Sequence, residues 1–361
     1  MGTEIYWYWL NNIEGIGYQT IEKMLKIDKN PKNIFKWTRE DYKAILTQKQ
    51  QMSFIQSRDF DVIEKKYIGL KEKKIDFYSI ENPRYPKRLL MIENPPFCLY
   101  VRGKLPQEDE KTVGIIGARD GTAYGQEMAR YYGKEFAKLG ISVISGMARG
   151  VDGIAQQSTL EYGGLSYGVL GCGINICYPK ENFALYQNLI KQGGIISEYP
   201  PDTMPKAGLF PRRNRIISGI ADNILVIEAK EKSGTLITVD WALNQGKDVF
   251  AVPGRAFDPY SEGCNQLIQM GAKLVRNIED FYEEYHIKNH DARKNCEKNL
   301  KTLDKNQKVV YSCLSLEPKY LDNIRKETNL STKELLSILF HLEMMGYIRQ
   351  IVSNYYIRCE I

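Results

Sequence analysis

The sequence predicts a doubly wound, mostly parallel α/β domain at its centre, preceded by a helical domain and followed by a winged helix. Three observations carry this. Between about residues 76 and 281, short continuous apolar runs alternate with helical stretches, the pattern of a parallel sheet covered on both faces. Residues 1–72 read as helical, rich in lysine, glutamine and aromatics. From residue 305 onward apolar spacing returns as three helices and a β-hairpin. At 361 residues the chain exceeds one typical core, and 43% apolar against 26% charged residues let each domain bury its own.

In the helical domain, 1–72, the sharp feature lies between Leu10 and Leu25. Apolar Leu10 and Ile13, the turn Gly15-Ile16-Gly17, then Ile21, Met24 and Leu25 describe two short helices joined by a tight turn. Such a turn bares amide N–H groups at the start of the second helix, as in a helix-hairpin-helix that grips phosphates. A plain hairpin using glycine for packing accounts for the same residues.

The Rossmann-like domain, 73–285, offers candidate strands at 112–116, 142–145, 166–170, 194–197, 223–227, 248–251 and 273–275. Helical stretches at 124–139, 153–162, 182–192, 216–221 and 237–244 separate them, and a lead-in from Tyr85 to Tyr100 packs on the sheet. Residues 286–304, mostly charged and amide, read as a linker. In 305–361, Val309, Val310 and Leu314 mark one helix, and Leu321 with Ile324 a second. Ser331 caps a third, whose Leu335, Leu336, Leu339, Leu342 and Met345 are expected to form its core face. That helix carries Lys333 and His341 but also Glu334 and Glu343, so contact with protein is as good a reading as contact with DNA.

The formal net charge of +6 is compatible with nucleic acid and with many enzymes. Seven cysteines, with no C-x-x-C pair, read as reduced thiols. The N-terminus shows neither a secretion nor a myristoylation pattern, and no apolar run reaches a membrane span. A cytoplasmic protein without membrane insertion is expected.

In an open parallel sheet, ligands bind beyond the carboxyl ends of the strands. The loops there are rich in glycine, hydroxyl and cation: Gly117-Ala118-Arg119, Ser145-Gly146-Met147-Ala148-Arg149-Gly150-Val151-Asp152, Gly171 to Lys180 and Asn182, and Ser233-Gly234-Thr235. Singly, each is accounted for as a turn, and Arg149 and Asp152 as a salt bridge fixing their loop; together they are suited to cradling phosphates. The most telling stretch is Phe210-Pro211-Arg212-Arg213-Asn214-Arg215, read as a loop before a helix starting at Ile216. Guanidinium forks match phosphate oxygens, and the ring gives a base a face to stack on. No histidine, cysteine or carboxylate accompanies them, which favours holding a polyanion over chemistry on one.

Neither a dinucleotide fingerprint nor a P-loop is present: Gly171-x-Gly173 has Ile176 where the third glycine belongs. His286 and His290 have no further ligand nearby, so no metal and no cofactor are expected. Glu198, Asp222, Glu228 and Asp240 lack catalytic partners and read as capping or salt-bridging groups.

These loops, with Tyr178-Pro179, Ile216-Ile217-Ser218-Gly219, Leu236-Ile237-Thr238 and Val252-Pro253-Gly254 in the same order, resemble the DNA-processing protein A (DprA/Smf) family over about residues 75–281. The helical part is similar, more weakly, to a sterile-alpha-motif-like region. The resemblance implies a non-enzymatic, single-stranded-DNA-binding protein of natural transformation and recombination, which shields incoming DNA, loads the RecA recombinase and dimerises through the Rossmann-like domain. It implies a DNA pocket on Arg119, Lys180, Phe210, Arg212, Arg213 and Asn214, with Ser145, Gly146, Arg149, Arg215, Ser233, Gly234 and Thr235 beside them. Asn175 stands where many members carry aspartate. The alternative is a nucleotide-processing enzyme of the phosphoribohydrolase type. Its Pro-Gly-Gly-x-Gly-Thr loop and glutamate are missing here, where Ser233-Gly234-Thr235 leads to Asp240.

Overall fold

The computed structural model describes residues 2–287 and 303–359. His290 and Cys296, and most of the 286–304 segment, lie outside the described residues.

Six helices open the chain: α1 (Glu4–Asn11), α2 (Tyr18–Ile27), α3 (Pro31–Ile34), α4 (Arg39–Tyr42), α5 (Gln48–Gln56) and α6 (Phe60–Glu72). The glycine turn between α1 and α2 forms as the spacing predicts, with Gly15 at φ +75°. These helices have no core of their own. Trp7, Tyr8, Trp9, Leu10 and Phe54 belong to one apolar cluster with Phe77, Cys98, Tyr100, Leu185 and Ile195 of the sheet layer. Asn12 donates to the Tyr100 hydroxyl at 2.7 Å, tying the turn to the sheet.

The central sheet has nine strands in the order β1-β2-β6-β5-β4-β3-β7-β8-β9. They are β1 (Asp76–Ser79), β2 (Cys98–Gly103), β3 (Thr112–Gly117), β4 (Ser142–Ser145), β5 (Ser166–Val169), β6 (Gly193–Ser197), β7 (Asn223–Ile227), β8 (Val249–Ala251) and β9 (Lys273–Leu274). From β6 through to β9 all pairings are parallel, while β1–β2 and β2–β6 are antiparallel. The segment read as a lead-in therefore contributes a strand, Cys98–Gly103, as well as the short helix α7 (Lys87–Leu90).

Between the parallel strands run α8 (Ala123–Lys138), α9 (Val151–Glu161), α10 (Phe183–Lys191), α11 (Leu209–Ile220), α12 (Gly234–Asn244) and α13 (Glu262–Gln269). The chain winds outward from β3 to β6, then returns to place β7 on the other side of β3. The strand order reverses between β3 and β7, and a crevice opens there at the carboxyl edge.

Helix α11 is the main departure from the sequence reading. It begins at Leu209, seven residues before Ile216, and takes in the whole arginine stretch. Pro211 is tolerated because the first turn of a helix leaves its N–H groups unused.

The C-terminal part has helices α14 (Lys305–Cys313), α15 (Leu321–Thr328) and α16 (Thr332–Met344), with β10 (Lys319–Tyr320), β11 (Ile348–Val352) and β12 (Tyr355–Arg358) as a three-stranded antiparallel sheet. This is a winged helix. Ser331 and Glu334 close a capping box at the start of α16. Its core face is Leu335, Leu339 and Leu342; Leu336 and Met345, expected there, are exposed together with Phe340 and Met344. Arg349 on β11 reaches the buried Glu127 of α8 at 2.5 Å. Among the described residues no helix is long and apolar enough to cross a membrane.

Candidate nucleic-acid interface

At the β3/β7 reversal three cavities, of about 390, 220 and 320 Å³, share Arg119 and Arg213 in their walls. The first is floored by Gly117 at the end of β3 and Ala118 after it, Lys230 after β7, and the N-terminus of α12 at Ser233–Thr235. The second runs past Gly146, Ala148 and Arg149 to Tyr178 and Phe210. The third adds Pro205, Ala207 and Ile237 and shares Asn214 with the first. Together they form one groove across the carboxyl edge of the sheet, as ligands of doubly wound folds require.

Arg213 is its centre. The residue is 5% exposed, yet its guanidinium has no hydrogen-bond or ion-pair acceptor among the described residues, and Nε is buried and unsatisfied. Burial lowers its pKa, against the attraction of Asp152. Asp152 is itself fully buried and accepts from the Gly146 N–H at 3.0 Å; burial raises its pKa, and Arg213 opposes that rise. Gly146 makes the arrangement possible, since a Cβ there would lie 1.8 Å from Arg213 Nη1. Arg119 stands exposed at the mouth, also without an acceptor among the described residues.

Phe210, in the first turn of α11, lies 5.4 Å from the Tyr178 ring, which is 44% exposed. Gly171 leaves it room, for a Cβ there would meet Phe210 Cδ1 at 2.7 Å. The two rings form an aromatic ledge on the groove.

Several expected site residues take other places. Arg215 faces away from the groove: it is buried, holds both Glu198 oxygens at 2.6 and 2.9 Å and donates to the Asn94 carbonyl. Arg212, exposed, opens on a different cavity beside α2. Ser145 donates to the Ile115 carbonyl at 2.6 Å, and the Gly146 amide is committed to Asp152, so neither is free for a ligand. Arg149 does line the groove, but its ion-pair partner is Glu181 at 3.5 Å and not Asp152. Lys180 is exposed and lines none of the three cavities. The Ser233 and Thr235 hydroxyls bond each other, and Thr235 donates on to the Gly117 carbonyl, so they set the N-terminus of α12 against β3. Asn175 and Asp202 exchange two hydrogen bonds of 2.7 and 2.8 Å; an aspartate at 175 would oppose Asp202.

Three of the four carboxylates behave as read: Glu198 pairs with Arg215, Asp222 with Arg88, and Glu228 accepts from the Thr122 amide at the start of α8, while Asp240 is exposed. Sequence reasoning missed Lys230, which lies 4.4 Å over the Tyr260 ring, and Tyr178. Their position just beyond β7 and β5 was the available signal.

Residues 76–286 match the model of the DNA recombination-mediator protein A family, and residues 297–352 the DprA winged helix domain. The chain belongs to the DNA recombination-mediator protein A family. Curated relatives include the DNA processing protein DprA of Bacillus subtilis, 40% identical over 61% of this chain and 74% of its own length. Protein Smf of Escherichia coli is 34% identical over 81% of this chain and 80% of its own. Among solved structures, DprA of Streptococcus pneumoniae superposes with a TM-score of 0.67 at 30% identity, covering 79% of this chain and 99% of that one. The Helicobacter pylori DNA processing protein A, described for its single-stranded DNA binding mode, superposes at 0.52 with 31% identity, over 58% and 96%.

Proposed function

We propose that this family member is a single-stranded-DNA-binding recombination mediator of natural transformation. It holds incoming DNA in the groove at the β3/β7 reversal, shields it from nucleases and passes it to the RecA recombinase in the cytoplasm. The observation that carries this is the buried Arg213 guanidinium with no acceptor among the described residues, lining a groove with Arg119 and Lys230. A desolvated cation is costly unless an anion meets it, and a phosphate fork supplies two acceptors at once. The relatives named above and the single-stranded DNA binding of the Helicobacter protein support the same reading. Arg119, Arg213, Asn214, Lys230 and the Gly234 end of α12 would take phosphates, and Phe210 with Tyr178 would stack bases. We read the groove as a holder and not a catalyst: of the carboxylates that line it, Asp152 is committed to the Gly146 amide and faces Arg213, and Asp120 lies exposed at the mouth next in sequence to Arg119. We assign the helical part to 1–72, the binding domain to 73–285 and the winged helix to 305–361.

The test is binding of the full chain to single- and double-stranded DNA across a salt series, followed by RecA filament formation on coated single strands. Tight, steeply salt-dependent binding that prefers single strands is expected; equal affinity for both forms overturns the assignment. Phe210→Ala should weaken binding by about 1–3 kcal/mol per stacked base while leaving the salt slope unchanged, because it removes no cation.

We also propose a homodimer through the β9 edge. This two-residue strand ends the sheet with Leu274 44% exposed, and Met270, four residues earlier in the chain, is 74% exposed. An apolar sheet edge invites a second copy. Leu274→Arg is expected to shift the protein to monomer in light scattering, and an unchanged mass would refute that edge.

A further inference from the structure

The first turn of α11 separates two cavities. Phe210 and Arg213 face the groove already described, while Leu209, Arg212 and Arg215 line a second cavity of about 500 Å³. Its other walls are Ile16, Gly17, Tyr18, Gln19 and Ile21 of the glycine turn and α2, Phe97 just before β2, Tyr199 and Pro200 after β6, and Trp241 of α12. The volume is that of a small-ligand site, and aromatic side chains supply much of the wall.

Its polar groups are few and distinct. Arg215 is neutralised by Glu198, so that pair offers no net charge. Arg212 is exposed, and its guanidinium has no acceptor among the described residues. Tyr18 stacks on Phe97 at 4.6 Å, nearly parallel, which fixes its ring at the rim. Gly17, at the start of α2, has no side-chain cap.

We propose that this second cavity takes a further nucleotide of the same single strand, its phosphate on Arg212 and its base among Tyr18, Tyr199 and Trp241. The proposal rests on the single-strand reading of the main groove. It gives the N-terminal glycine turn a part in binding, and it explains why Arg212 and Arg213, adjacent in sequence, serve different cavities. A helix is about 10 Å across, so a strand crossing the first turn of α11 joins the two cavities within a few nucleotides.

Trp241 provides a direct readout. Trp7, Trp9 and Trp37 are buried, at 3%, 3% and 8% exposure, whereas Trp241 is half-buried against the cavity. The full chain would be titrated with oligothymidylates of about 2 and about 20 nucleotides, too short to reach both cavities and beyond one binding site, and with thymidine 5′-monophosphate. The expected result is quenching of tryptophan emission by the long oligomer, lost in Trp241→Phe. Arg212→Ala, an exposed substitution, should weaken the long oligomer about fivefold and leave the short one unchanged. Arg119→Ala should weaken both. Unchanged long-oligomer affinity in Arg212→Ala, or quenching that survives in Trp241→Phe, overturns the second subsite while leaving the main groove standing. Equal quenching by the mononucleotide makes the cavity a free-nucleotide site and overturns the strand assignment. Failure of the parent protein to bind either length sinks the groove reading itself.

Discussion

Arg213→Ala is expected to lower affinity for single-stranded DNA by about a hundredfold at moderate salt, within the 2–5 kcal/mol that losing one partner of a desolvated charge pair costs. The size follows from burial. Arg213 has already given up its water, and no acceptor among the described residues replaces it, so a phosphate would meet a cation that has little solvent to lose. Arg119→Ala, at the exposed mouth, should cost about tenfold, because that side chain must still be desolvated. Each substitution removes one cation and should flatten the logarithmic salt dependence by about 0.7. A filter-binding titration across salt measures both numbers together. Binding by Arg213→Ala as tight as the parent's would remove the groove from the mechanism.

The same variant has a stability signature. In the parent, burial raises the Asp152 carboxyl above its usual value, and Arg213 holds that rise in check. Without Arg213 the folded-state pKa climbs further above the unfolded one. The folded state then binds the proton more tightly, so Arg213→Ala gains stability relative to the parent on acidification and loses it as pH rises through the folded pKa. Thermal melts at mildly acid and neutral pH separate this effect from any loss of packing.

The sheet was readable because each parallel strand is buried on both faces and must be a short apolar run; 112–116, 142–145 and 223–227 lie within or coincide with observed strands. Strand β2 was not, since Pro95 and Pro96, separated from it only by Phe97, read as a loop and its pairing with β6 is antiparallel. The arginine stretch carried the right chemistry at the wrong resolution. Its polar residues hide the helical start, which only tertiary contacts supply. Once α11 begins at Leu209, about 100° per residue sends Arg212, Arg213 and Arg215 in different directions. One meets the groove, one the second cavity, one Glu198. Composition suggested three equivalent phosphate ligands; helical geometry makes one of them a structural ion pair.

Gly146→Ala is expected to match the affinity loss of Arg213→Ala while keeping every charge. The φ of Gly146 lies outside the left-handed region, so an alanine backbone fits, and the N–H can still reach Asp152. The added Cβ has no room. Its three nearest atoms all belong to the Arg213 guanidinium, at 1.8, 2.6 and 2.6 Å. That group is the mobile end of a long side chain, and displacing it toward the groove costs the fold less than moving backbone would. Stability should therefore change by no more than about 1 kcal/mol, whereas the fork loses its place under the incoming phosphate. Because the cation stays in the groove, the salt dependence should remain near the parent's, unlike that of Arg213→Ala. This pairing of lost affinity with retained salt slope distinguishes a positioned guanidinium from a diffuse positive patch. Parent-like affinity in Gly146→Ala would mean that charge alone binds the strand and that the placement of Arg213 is incidental.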